Sequence, residues 1–258
     1  MKQRDYKSEF NSIVKGVIAP IFKDFGFKKN GNNFYRDFGE FGQAFNIQQS
    51  RWNSSSDKSF VFNIGLLDKS IYKETHDLDL PKFPKEIDCN IRLRMGNLMT
   101  KSNGWYDLNI GVNISKLKEQ IKNEIELYAI PFFEKYKDFN KWVQLLNSKT
   151  ILFYNPVSEF LFIEKFLGKP QSEIFLNELY NKAIIPRIPD VGLSKRNQQI
   201  MRESQKDWLN KITDVAKDKR MELKVNSMAI SEINGENLVK AKEKSNKGFF
   251  FWIKRLWD

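Results

Sequence analysis

The sequence is short of the residues on which most enzymatic chemistry depends. Its 258 residues include one cysteine, Cys89, and one histidine, His76. A lone thiol closes no internal disulfide, which argues for a reducing compartment and against a cysteine-built zinc ribbon or knuckle. With one imidazole, a multi-histidine metal centre is excluded, and a serine–histidine–aspartate relay would have to use His76. His76-Asp77-Leu78-Asp79 does bring three potential ligands together, but it precedes Pro81 and Pro84 and reads as a solvated loop. Neither a Walker-type loop nor a dinucleotide fingerprint is present, so no cofactor, no metal and no catalytic residue is expected. Long apolar runs are missing too, and Met1 to Glu9 is polar rather than signal-like. A cytoplasmic location is the expectation.

What the chain has in quantity is lysine and phenylalanine. Lysine and arginine outnumber aspartate and glutamate by 43 to 32, a net charge of +11. The excess is spread over both halves of the chain, which suits solubility and leaves polyanions or anionic surfaces as possible partners.

The stretch Gly26 to Leu67 organises the rest and reads as three strands joined by turns. Phe41, Gln43, Phe45, Ile47 and Gln49 alternate with Gly42, Ala44, Asn46, Gln48 and Ser50. Phe60, Phe62, Ile64 and Leu66 repeat the pattern against Val61, Asn63 and Gly65. Between the two runs, Asn53 to Asp57 is hairpin-loop chemistry, and Asn30-Gly31 marks a tighter turn before Phe34-Tyr35-Arg36. A further strand is expected at Cys89 to Met95, with Cys89, Ile91, Leu93 and Met95 on one face and Asn90, Arg92 and Arg94 on the other. Trp105 to Ile110 is the last. Where registers align, Asn46, Gln48, Asn63, Arg92 and Arg94 share a polar face.

Helices flank the sheet. Tyr6, Phe10, Ile13, Val14, Val17, Ile18, Ile21, Phe22 and Phe25 form one apolar stripe, which Pro20 should kink or split and Gly26 should end. After Ser115 the period lengthens again, with Leu117, Ile121, Ile125, Tyr128 and Phe132 on one stripe and Pro131 as a bend. Phe139 to Leu146, Val157 to Leu167 and Ser172 to Ala183 follow with helical patterns. Helices that follow a sheet rather than alternate with its strands predict an α+β fold: an N-terminal helix, an antiparallel β-sheet, then several α-helices packed on one face.

Taken in order, Gly26-Phe27-Lys28-Lys29, Phe34-Tyr35-Arg36, Phe45-Asn46-Ile47-Gln48-Gln49-Ser50, Phe60-Val61-Phe62-Asn63-Ile64-Gly65, Arg92-Leu93-Arg94-Met95-Gly96, Trp105 and Ile130-Pro131-Phe132-Phe133 carry a resemblance. Over about residues 6–185 the chain resembles the bacterial family catalogued as domain of unknown function 4304 (DUF4304). The resemblance implies a fold and a bacterial cytosolic origin and transfers no catalytic residue. The division expected is an α+β domain over 1–185 and a helical C-terminal extension over 186–258.

In the extension, Pro186-Arg187-Ile188-Pro189 reads as a linker and Ser194 as the cap of a long helix carrying Met201, Trp208, Ile212 and Val215. The chain ends on a basic, aromatic segment. On a helix, Phe249, Trp252, Ile253, Leu256 and Trp257 share one face, with Lys254 and Arg255 off it. Burying each large apolar side chain is worth roughly 1.5 to 3 kcal/mol, so something covers them. The occupant is the protein's own body or a second subunit, a groove on a partner protein, or a membrane surface.

The function these features favour is that of a non-enzymatic bacterial interaction protein, of the kind used in defence or conflict systems. It would hold partners by the polar sheet face and the tail. The candidate binding residues are Gln48, Asn63, Arg92, Arg94, Trp52 and Trp105. Arg92 and Arg94 lie two apart on a strand, so they point the same way and could grip phosphate or carboxylate. Trp52 and Trp105 would add stacking surface. The alternative is nucleic-acid binding or a nuclease component. Pro189-Asp190 with Glu222-Leu223-Lys224 has the outline of a metal-dependent nuclease core, but an intervening long helix separates pieces that such a core keeps on adjacent strands.

Overall fold

The structure is a computed structural model that describes residues 5–54, 57–76, 78–99, 104–147, 152–153, 155–185, 194–227 and 229. The chain divides into two compact units, residues 1–166 and 167–258.

The first unit opens with α1 (Tyr6–Ile13), capped by the Asp5 carboxylate, which accepts from the backbone N–H groups of Lys7 and Ser8. A π-helical turn, Val14–Ile18, leads into α2 (Ala19–Asp24). The expected interruption at Pro20 takes the form of this π turn, which separates α1 from α2. The Pro20 ring would meet an α-helical carbonyl four residues back. The wider turn takes up one extra residue instead, and the Ala19 N–H reaches the Val14 carbonyl.

Four strands follow where three were expected. They are β1 (Lys28–Asn30), β2 (Asn33–Asp37), β3 (Phe41–Gln49) and β4 (Lys58–Asp68). Gly31-Asn32 turns β1 into β2, with Gly31 at φ +58°. The Asp68 side chain caps α3 (Lys69–Thr75) and accepts a hydrogen bond from Lys165 at 2.6 Å. A 3-10 turn, Glu86–Asp88, precedes β5 (Ile91–Arg94), which gives way at once to the short α4 (Met95–Leu98). Next come β6 (Tyr106–Leu108) and α5 (Ile114–Glu124), then a second π turn, Ile125–Ala129, and α6 (Ile130–Lys135). A 3-10 stretch (Phe139–Asn147), β7 (Leu152–Phe153) and α7 (Pro156–Leu167) complete this unit.

The strands form one antiparallel sheet in the order β1-β2-β3-β4-β5-β7, with β6 beside β4 nearer the β3–β4 hairpin. The sequence pattern does not single out β7, whose two residues are too few to show alternation. Alternation sends Phe34, Phe45, Ile64 and Leu93 to one face, in direct cross-strand register. Phe22 lies 4.2 Å from Phe45, ring centre to ring centre, and 6.1 Å from Phe133, so both proline-bearing helices meet on this face. Those helices use one device. Val14 to Phe22 and Ile125 to Phe133 each place a π turn just before an alanine- or isoleucine-proline pair and a buried phenylalanine two residues after the proline.

The opposite face is covered at one end by a small second core of Tyr35, Ala44, Leu67, Tyr72 and Cys89, against which Leu80 and Phe83 pack. This corrects the expected placing of Cys89 beside Ile91. β5 begins only at Ile91, so Cys89 arrives from the 3-10 turn over the other face, where its sulfur lies against Gly65. His76 ends α3 with its ring stacked on Tyr72 at 4.1 Å. Through Tyr72, Leu80 and Phe83 the segment after β4 thus covers one end of the sheet's second face.

The second unit contains α8 (Lys169–Ile184) and α9 (Lys195–Asp218). Ser194 caps α9 as its sequence implies, accepting from the Asn197 N–H. The Gln205 amide donates to the Ala183 carbonyl of α8 and to that of Ile185 just past its end. An extended segment, 221–226, follows α9. The tail residues Phe249, Trp252, Ile253, Leu256 and Trp257, and Pro189-Asp190, lie outside the described residues. Among the described residues no helix is long and apolar enough to cross a membrane.

Candidate functional site

The end of the second face beyond Tyr35 and Ala44 is polar, and register makes it a row. Asn33 stands opposite Asn46, Asn46 opposite Asn63, and Asn63 opposite Arg94, across four neighbouring strands. The amides are linked. Asn46 Nδ2 donates to Asn33 Oδ1 at 2.8 Å, and Asn63 Nδ2 donates to Gln48 Oε1 at 2.9 Å and to Asn46 Oδ1 at 3.3 Å. Asn63 is buried, while Asn33, Asn46, Gln48 and Arg94 are half-buried. An amide carries donors and an acceptor, so linked amides hold one another in place and keep capacity for a further partner.

Arg94 ends the row with its guanidinium 5.7 Å from the centre of the Trp105 ring. Two glycines bring Trp105 there. A Cβ on Gly104 would lie 2.9 Å from the Gly96 Cα, so the backbone before Trp105 crosses that after β5 at a distance only glycine permits. Trp105 also lines a shallow groove of about 460 Å³ with Val112, Asn113, Lys116 and Gln120.

Arg92 does not join Arg94 as a two-pronged grip. It stands opposite Gly65 and donates to both carboxylate oxygens of Glu86, at 2.7 and 3.2 Å. Glu86 is buried, so this forked pair fastens the 3-10 turn to the sheet. Trp52 sits in the β3–β4 loop, 80% exposed, with the Arg51 guanidinium 5.2 Å from its ring centre. Of the six binding candidates, the structure thus joins Gln48, Asn63, Arg94 and Trp105, ties Arg92 to Glu86, and places Trp52 at the hairpin tip. Asn33, which is not among the six candidates, completes the row, and its parity with Tyr35 on β2 is the sequence signal for it.

Residues 18–135 match the family described as domain of unknown function (DUF4304). Over this segment the chain is similar to the DUF4304 family. No curated protein and no solved structure matches the chain. The DUF4304 span begins at the end of the first π turn and closes with the last residue of α6, so it holds both prolines, the whole amide row and Trp105. It is shorter than the 6–185 expected from the sequence resemblance.

Burial shifts two titratable groups packed against the sheet. Burial, with Glu86 nearby, pushes the Cys89 thiol well above its ordinary value. Burial also raises the Tyr106 hydroxyl, which donates to Glu124 at 2.5 Å. The exposed chemistry of the row is amide donors, amide acceptors and one guanidinium.

Proposed function

We propose that this protein is a non-enzymatic binding protein whose contact surface is the polar end of the sheet, made by Asn33, Asn46, Gln48, Asn63, Arg94 and Trp105. The observation that supports this reading is the cross-strand amide row closed by the Arg94–Trp105 stack. Such a surface suits a protein partner, whose peptide groups match amide donors and acceptors, and the stacked aromatic and arginine are the side chains that anchor interfaces. A buried, unpaired thiol fits a reducing, cytosolic setting.

The test is affinity capture from the native host with wild-type protein beside a Gln48→Ala/Arg94→Ala variant of matched thermal stability. A protein that the wild type retains and the variant loses supports the reading. An identical set on both, or nothing above background on either, contradicts it.

A second reading, nucleic-acid binding, is favoured by the two arginine–tryptophan stacks, Arg94–Trp105 and Arg51–Trp52, together with the net charge. It predicts single-strand binding that weakens steeply with salt and falls on Trp52→Ala. Binding that ignores salt, or no binding at low salt, excludes it.

A further inference from the structure

In the second unit, Asn177 and Asn181 lie four residues apart on α8 and therefore one turn apart on one face. Asn177 Nδ2 donates to the Glu222 carbonyl at 3.4 Å, and its Oδ1 accepts from the Lys224 N–H at 2.6 Å. Asn181 repeats this one step on, donating to the Lys224 carbonyl and accepting from the Asn226 N–H, both at 2.8 Å. The match is geometric. A helix advances about 6 Å in four residues and an extended chain about 6.6 Å in two, so successive amides meet alternate residues of a strand.

All four bonds go to main chain. The Glu222 and Lys224 side chains are 79% and 72% exposed and pair with each other at 3.2 Å. Both asparagines are also fixed to α8 itself, Asn177 through the Glu173 carbonyl and Asn181 through the Asn177 carbonyl. The clamp is therefore preorganised and indifferent to sequence.

The strap reaches the clamp through Arg220, at φ 53°, the one non-glycine residue with positive φ among the described residues. The Met221 N–H returns to the Ala216 carbonyl at 2.8 Å, the closing bond of a helix C-cap whose left-handed position glycine or asparagine usually fills. Straightening this turn would relieve an arginine of a conformation costly to side chains with a Cβ.

We infer that Asn177 and Asn181 form a receptor for extended main chain, and that its ligand in an assembly is the 222–226 strap of a second copy of this chain. The one segment shown to fit the clamp is this strap, and a second copy supplies it unchanged. Exchange keeps all four bonds per clamp and relaxes the Arg220 turn in both subunits, the condition under which segments swap. The site is separate from the sheet face, and its failure leaves that reading untouched.

The test uses two full-length variants. Asn177→Ala/Asn181→Ala removes the receptor and keeps the strap. Lys224→Pro keeps the receptor and removes the strap's N–H to Asn177. Light scattering after size exclusion should find no exchanged dimer in either alone and a 1:1 heterodimer in the mixture. Arg220→Gly, which relaxes the closed turn, should lower the wild-type dimerisation constant by about tenfold or more, since each dimer releases two turns. A mixture that behaves as the sum of its parts overturns the inference. So does a dimer that forms equally in each variant alone, or an association unmoved by Arg220→Gly.

Discussion

Arg36 and Gln43 face each other across β2 and β3, and the guanidinium donates to the Gln43 side-chain oxygen from Nε at 3.1 Å and from Nη2 at 2.5 Å. Both residues are buried on the aromatic face of the sheet. Gln43 Nε2 donates to the Phe133 carbonyl of α6 at 2.8 Å, while Arg36 Nη1 donates to the Phe25 carbonyl at 2.7 Å and to Glu134 at 2.9 Å. The pair thus fastens the ends of both proline-bearing helices to the sheet. Arg36→Ala strands the Gln43 oxygen and the Phe25 carbonyl, and should cost about 3 kcal/mol in urea unfolding. Arg36→Ala with Gln43→Leu should cost clearly less than the two single losses added.

Glu134 gives this pair a pH signature. Burial pushes its carboxyl up, but hydrogen bonds from Lys137 and Arg36 outweigh that and hold it below its ordinary value of 4.5. A carboxylate with a lowered folded pKa contributes stability that is present above the unfolded value and lost as pH falls through the folded one. The urea midpoint of wild type should therefore exceed that of Glu134→Gln at pH 6, and the gap should close as pH drops below about 4.5. A gap that stays constant down to pH 3 would contradict the ion pair.

The second core is packed on a glycine. A Cβ on Gly42 would fall well inside van der Waals contact of the Tyr35 hydroxyl and ring. Gly42→Ala should cost about 1 to 3 kcal/mol, the usual range for overpacking. Adding Tyr35→Leu should return part of it, read as a coupling in a double-mutant cycle.

The π turn and the proline after it depend on each other. Deleting Gly16 turns the wide turn into an α turn and sets the Pro20 ring against a carbonyl, at about 3 kcal/mol. The same deletion with Pro20→Ala should cost within about 1 kcal/mol, because Phe10, Ile13 and Phe22 then keep their buried positions. Equal losses in the two proteins would show that the turn has another cause.

The central strands were legible because strict alternation leaves one choice of face. Phe45 and Phe62 can lie only inside if Asn46 and Asn63 lie together outside. Register decided the rest. That Asn46, Asn63 and Arg94 form one row depends on turn lengths, which parity does not reveal. Cys89 lies on the other face from Ile91 because strand alternation holds only from Ile91, where β5 begins. Arg92 looked available because Glu86, six residues away, sits in a turn that no pattern marks. Two features carry no recognisable pattern in the sequence alone: the π turn before each alanine- or isoleucine-proline pair, and the contact of the paired asparagines of α8 with the 222–226 segment.

The measurement that tests the binding face most directly is the comparative capture with wild type and Gln48→Ala/Arg94→Ala, quantified protein by protein. The account predicts at least one protein depleted about tenfold on the variant, a loss of about 1.4 kcal/mol in binding. Equal retention of every captured protein, with both baits equally folded, would contradict it.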